Sequence, residues 1–215
     1  MPLRTKICGV NSRPALDAAI AGGAGFVGFN FYPPSPRALT AEAAAALAAA
    51  VPPVIAKVAV LVDESDERIA EILARVPLDM LQLHGKETPT RVDDVRHRFG
   101  LPVMKAVSVA EAADMAVADR YIGHADWLMF DAKPPARMTE ALPGGNALSF
   151  DWQLLAGRSW PSPWMLSGGL SSDNLAEAVR ISGARVVDVS SGVESERGQK
   201  DPAKIAAFLA EAQRL

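Results

Sequence analysis

The chain has 215 residues, 49% of them hydrophobic and 22% charged, with a formal net charge of −3. That balance excludes a disordered chain, and with no Lys/Arg-dense face neither nucleic acid nor another long polyanion is expected as a partner. A lone cysteine, Cys8, excludes an internal disulfide, a cysteine zinc cluster and a CxxC redox pair; no apolar run of about 18 residues is available to span a membrane and no secretory signal opens the chain, so a cytoplasmic protein is expected.

Short apolar runs, each ending in a polar residue or glycine, occupy 3–8, 26–30, 54–62, 80–84, 103–106, 127–131, 164–167 and 186–190. They read as strands. The first ends at Cys8 and the second at Asn30, after which prolines stiffen a loop over 32–37. The nearly all-alanine segment 41–50 predicts a helix of high intrinsic propensity that offers little to a core. After the third run, Ile69, Ile72, Leu73 and Val76 form a helical stripe opened by a cap at Ser65. The fifth and sixth units are the weakest: 108–117 is short, and a Pro/Gly-rich loop over 133–146 precedes any helix after Asp131. Another loop covers 157–163. Leu175, Ala178, Val179 and Ser182 form a stripe closed by Gly183, and Asp201-Pro202 opens a final helix that buries Ile205, Phe208 and Leu209.

Strands alternating with helices require a parallel sheet. Eight such units in this length predict one α/β domain over 1–215, a (β/α)8 TIM barrel; an open doubly wound sheet is the structural rival.

A barrel keeps its site at the C-terminal strand ends. Those ends carry Cys8, Asn30, His84, Lys105, Asp131, Ser167-Gly168-Gly169 and Ser190-Ser191-Gly192. The segments at Gly168-Gly169 and Ser190-Ser191-Gly192 follow the last two strands, where barrels bind phosphate through converging backbone amides. Without a ligand, the same glycines serve only as tight turns. Cys8 is either an inert buried thiol or, near positive charge, a base. Asp131 ends a strongly apolar strand, where burial raises a carboxyl group and suits it to act as an acid; otherwise it caps a loop. Arg37 either grips a carboxylate bidentately or is solvated. His84 is either a site-lining hydrogen bonder or a structural histidine, whereas His97 and His124 read as surface and loop residues.

Lys6-Ile7-Cys8-Gly9, Gly25-Phe26-Val27-Gly28-Phe29-Asn30-Phe31, Ser35-Pro36-Arg37, Gln82-Leu83-His84-Gly85, Phe130-Asp131, Phe150-Asp151-Trp152, Leu166-Ser167-Gly168-Gly169-Leu170 and Val187-Asp188-Val189-Ser190-Ser191-Gly192-Val193-Glu194 resemble, in order, the signature blocks of the phosphoribosylanthranilate isomerase family. The resemblance implies a cofactor-free Amadori rearrangement in tryptophan biosynthesis. Cys8 would be the general base, Asp131 the general acid and Arg37 the clamp on the anthranilate carboxylate. The loops at Gly168-Gly169 and Ser190-Ser191-Gly192 would hold the phosphate. The segment Gly144-Gly145-Asn146-Ala147 departs from the family's Gly-Gly-Thr-Gly, so its loop is expected to take a different path. Two rivals stand beside this reading. One is the histidine-pathway isomerase, which uses two aspartates; the other is a non-catalytic barrel that binds a phosphorylated metabolite. The expected partner is a small phosphorylated substrate, with no metal, and the chain is a monomer or a homodimer.

Overall fold

The structure, a computed structural model, describes residues 2–135 and 142–215. Residues 136–141 of the loop expected over 133–146 lie outside the described residues. Strands β1 (Arg4–Cys8), β2 (Phe26–Asn30), β3 (Ala56–Leu61), β4 (Met80–Leu83), β5 (Val103–Val109), β6 (Trp127–Ala132), β7 (Trp164–Leu166) and β8 (Val186–Val189) close into a barrel, with β8 pairing parallel to β1. The expected (β/α)8 barrel is therefore the fold, and the open sheet is excluded.

The helices on its outside are α1 (Arg13–Ala21), α2 (Ala41–Ala48), α3 (Asp66–Leu73), α4 (Pro89–Phe99), α5 (Met115–Asp119), α6 (Leu175–Ser182) and α7 (Pro202–Ala212). Their ends follow local chemistry. Ser65 accepts from the Arg68 N–H, Gly183 takes a left-handed φ of 72°, and Asp201 accepts from the Ala203 and Lys204 N–H groups ahead of Pro202. Ile205, Phe208 and Leu209 are buried, as their spacing requires.

Three elements differ from expectation. Pro52-Pro53 holds the chain in a turn, so Val54 is 84% exposed and β3 starts at Ala56. Strand β5 runs on to Val109, which leaves room only for a 3-10 turn (Ala112–Asp114) and the short α5. Between β6 and β7 the described residues form a 3-10 turn, Trp152–Leu155, capped by the Asp151 carboxylate, and no α-helix. Pro143, Gly144 and Gly145 disfavour a helix there, and their segment lies across the barrel mouth instead. After β8 a small antiparallel hairpin, β9 (Glu194–Glu196) with β10 (Gln199–Lys200), had no counterpart in the sequence reading.

Alternate residues of a barrel strand face inward, and this period sets up the site. Phe26, Val58, Met80, Met104, Met129, Met165 and Val186 fill one end of the interior. Two residues further along their strands, Gln82, Asp131, Ser167 and Asp188 replace hydrocarbon with polar groups, and all four are buried. A separate apolar layer, including Ile7, Leu16, Leu61 and Phe208, joins the strands to the helices.

Candidate active site

Cys8, Arg37, His84, Asp131, Gly168, Gly169, Ser190 and Ser191 all line one hollow at the C-terminal end of the barrel. Gly192 does not line it; a Cβ there would run into the Leu170 carbonyl, so its bareness serves packing behind Ser191. Gly168 and Gly169 have φ of 91° and 65°, a conformation glycine adopts without strain, and both open onto the hollow.

Cys8 and Lys6 share the inward face of β1. Opposite them Gly28 has no side chain, and a Cβ there would sit 3.2 Å from both the Cys8 Sγ and the Lys6 Nζ. The glycine thus makes the space in which thiol and ammonium sit together. Lys6 is fully buried, which is tolerable only when the charge is paired. Its Nζ donates to Asp188 Oδ1 at 2.8 Å, and the Ser167 hydroxyl donates to Asp188 Oδ2 at 3.0 Å. Burial alone would depress the Lys6 ammonium, but Asp188 and Cys8 hold it up at about 12. Burial, and after it the Asp188 carboxylate, push the Cys8 thiol above its ordinary value, while Lys6 pulls it back.

Across the mouth, His84 joins two partners. Its Nε2 lies 3.1 Å from Asp131 Oδ2 and its Nδ1 lies 2.8 Å from Gln82 Nε2. The Ala132 N–H donates to Asp131 Oδ1 at 2.9 Å. His84 is therefore both site-lining and structurally bonded. His124 pairs with Asp93 and His97 contacts the Asp93 carbonyl, both away from the hollow. Lys105, mid-strand in the longer β5, points away too: its Nζ donates to Glu87 and to the Leu83 and Gly85 carbonyls.

Arg37 is 3% exposed, so it is not a solvated arginine. Nor is its fork open for a bidentate grip on a ligand. Nε and Nη2 already hold Glu194 at 2.6 and 2.9 Å, and Nη2 also donates to the Gly145 carbonyl. Nη1 is the nitrogen of the fork with no hydrogen bond among the described residues. Glu194 receives Lys200 Nζ at 2.7 Å as well. Burial would raise its carboxyl, but Arg37 and Lys200 hold it down at about 2. The β9–β10 hairpin thus latches Arg37 in place, and Lys200 reaches on to the Ser190 carbonyl at 2.9 Å.

The loop over 144–147 closes against this cluster. Ala147, standing where the family pattern has glycine, keeps a left-handed φ of 56°. That conformation strains a residue with a Cβ. Ala147→Gly is expected to raise stability by about 1 kcal/mol, measured by urea unfolding; no gain in midpoint would contradict the strain.

Lys6, Gln82, Asp188, Glu194 and Gly144 stood in the quoted segments without a role, and Lys200 was not named. The period-2 rule reaches the first three, since each lies two residues before a strand-end candidate and must face inward with it.

A parallel barrel with proton-transfer groups on its strand tips and glycine loops after its last two strands belongs to the class of (β/α)8-barrel enzymes. Comparison with known proteins narrows this to one family. The sequence model of N-(5'phosphoribosyl)anthranilate (PRA) isomerase matches residues 5–211, and the chain belongs to that family. It is 55% identical to the N-(5'-phosphoribosyl)anthranilate isomerase of Paramagnetospirillum magneticum, over 97% of this chain and 96% of that protein. Identity to the Rhodospirillum centenum enzyme of the same name is 57%, covering 98% of each. Among solved structures, the phosphoribosyl anthranilate isomerase of Thermotoga maritima superposes with a TM-score of 0.88 at 34% identity, covering 99% of this chain and 100% of that one.

Proposed function

We propose that this chain is a cytoplasmic, single-barrel enzyme that converts N-(5-phosphoribosyl)anthranilate to 1-(o-carboxyphenylamino)-1-deoxyribulose 5-phosphate in tryptophan biosynthesis. The observation that carries the mechanism is that the Cys8 thiol and the Asp131 carboxyl open onto one hollow whose rim holds Gly168, Gly169, Ser190 and Ser191. A solved relative with a TM-score of 0.83, at 32% identity, is in complex with reduced 1-(o-carboxyphenylamino)-1-deoxyribulose 5-phosphate.

The rearrangement moves only protons. Asp131 gives one to the furanose ring oxygen, which opens the sugar to a Schiff base. Cys8, as thiolate, takes the C2′ proton and leaves an enolamine, which becomes the ketone by losing its hydroxyl proton and gaining one at C1′. The phosphate sits on the amides of the β7 and β8 loops, and Lys200 places positive charge behind Ser190. The anthranilate carboxylate meets Arg37 Nη1. All these groups come from one chain, so a monomer and a homodimer serve equally.

Loss of the fluorescence of freshly made phosphoribosylanthranilate tests the activity; a chain that binds the substrate without turning it over is a binding barrel and ends the proposal. Arg37→Ala is expected to raise KM by about tenfold to a hundredfold, the worth of one hydrogen bond to a charged group, with kcat little changed. Lys200 and the Gly198 N–H still hold Glu194 in that variant, so the protein folds. An unchanged KM would remove Arg37 from the substrate site.

A further inference from the structure

Strand β4 and the residue after it deliver two inward side chains in succession, Gln82 and then His84, and the second ends on Asp131. A neutral imidazole has one donor and one acceptor nitrogen, so the Gln82 amide decides which nitrogen carries the hydrogen. With Gln82 Nε2 donating to Nδ1, the ring proton is on Nε2 and points at Asp131 Oδ2. Ala132 N–H supplies the other oxygen. With a donor on each oxygen, this arrangement leaves Asp131 no proton to give.

In that same arrangement Gln82 Oε1 is buried with no hydrogen-bond partner among the described residues, on a side chain that is 0% exposed. Turning the amide over places Oε1 against Nδ1, which must then carry hydrogen. One further proton, taken up from water in the hollow before the substrate fills it, is now shared between His84 Nε2 and Asp131 Oδ2, and the pair is loaded. Turning over also gives up the weak bond from Gln82 Nε2 to Met129 Sδ at 3.5 Å, so the first arrangement is the resting one and the second is reached when a proton is taken up. Gly144 covers the pair: a Cβ there would lie 2.7 Å from Asp131 Oδ2 and 2.9 Å from His84 Nε2. The backbone alone fits, and it screens the pair from bulk solvent.

We propose that His84 is a positioning residue that sets the protonation of Asp131, with the Gln82 amide as its two-way switch. The proposal rests on Asp131 being the acid of the proposed reaction. The proton shared by the pair goes to the ring oxygen at opening and is recovered from the C2′ hydroxyl when the enolamine becomes the ketone, so the pair ends as it began. Cys8, Arg37 and Asp188 face the pair across the hollow, and the Lys105–Glu87 ion pair lies behind β4 and β5; none of them bonds to His84 or Asp131 among the described residues.

Nitrogen NMR of the His84 ring in the wild-type protein tests the switch without any substitution. The hydrogen is expected on Nε2 in the free protein and on Nδ1 when the reduced product, 1-(o-carboxyphenylamino)-1-deoxyribulose 5-phosphate in its reduced form, is bound. Hydrogen on Nε2 alone in both states overturns the proposal. In kinetics, Gln82→Glu fixes an acceptor against Nδ1 and is expected to move the Asp131 limb of the kcat–pH profile up by about one pH unit, a tenfold change in proton affinity. Gln82→Met removes the switch and moves that limb down, while KM stays within about twofold and the Cys8 limb does not move. A merely structural role lowers kcat or stability and leaves the limb in place in both variants, and that result also overturns the proposal. Asp131→Asn separates the two levels: full turnover there ends the acid assignment itself, whereas a dead Asp131→Asn with unmoved limbs in the Gln82 variants ends only the switch.

Discussion

Cys8→Ala is expected to lower kcat by about 10² to 10⁴, the usual worth of one positioned proton transfer, with the fold retained. Only the Sγ is lost from a residue beside Lys6 and Gly28, and the Lys6–Asp188 ion pair keeps its geometry. Cys8→Ser sharpens the test. It preserves size and hydrogen bonding, but a hydroxyl ionises far less readily than a thiol, so a base role predicts an equally inactive enzyme. The same chemistry predicts the pH dependence. Burial and Asp188 place the thiol above its ordinary value, so the thiolate fraction, and with it the Cys8 limb of the kcat–pH profile, rises in alkaline solution, a limb that the Cys8 variants lack. Steady-state kinetics with thermal unfolding as the control measures both. A serine variant with wild-type turnover, or one that keeps the wild-type rising limb, would remove Cys8 from the base role.

Asp131→Asn is expected to lower kcat by a comparable factor, about 10² to 10⁴, with KM nearly unchanged. An amide keeps one oxygen to accept from His84 or from the Ala132 N–H, so the side chain stays placed while its transferable proton is gone. Because ring opening precedes removal of the C2′ proton, the variant stops before the Schiff base, whereas the Cys8 variants stop after it. Rapid-mixing spectroscopy distinguishes them: Schiff-base absorbance builds up with Cys8→Ala and stays absent with Asp131→Asn. The reverse pattern would exchange the two roles, and turnover undiminished in the asparagine variant would discard the acid assignment.

What the sequence made legible followed from periodicity and end chemistry. Eight apolar runs are enough to close a barrel, and Ser65, Gly183 and Asp201-Pro202 marked helix ends that the structure keeps. The strand-end rule brought Cys8, His84 and Asp131 to one mouth because alternation places every second residue inward. The illegible parts depended on contacts distant in sequence. Val54 looks like strand until Pro52-Pro53 is seen to hold it in a turn. Arg37 looks free because its partner, Glu194, comes 157 residues later on a hairpin too short for any pattern. Ala147 looked like a broken turn, yet the surrounding loop holds it at a glycine's φ. Lys6 and Asp188 lie 182 residues apart in sequence, and barrel closure between β1 and β8 makes them a buried pair.

In the proposed mechanism, sulfur and carboxyl act on the two ends of one proton exchange in a bound sugar. A crystal structure of this chain with reduced 1-(o-carboxyphenylamino)-1-deoxyribulose 5-phosphate measures that directly. The account predicts the Cys8 Sγ in contact with C2′, Asp131 within about 2.6–3.2 Å of the former ring oxygen, and the phosphate on the loops after β7 and β8. A sulfur turned away from the ligand, or a ligand seated with its C2′ remote from Cys8 and its ring oxygen remote from Asp131, would contradict it.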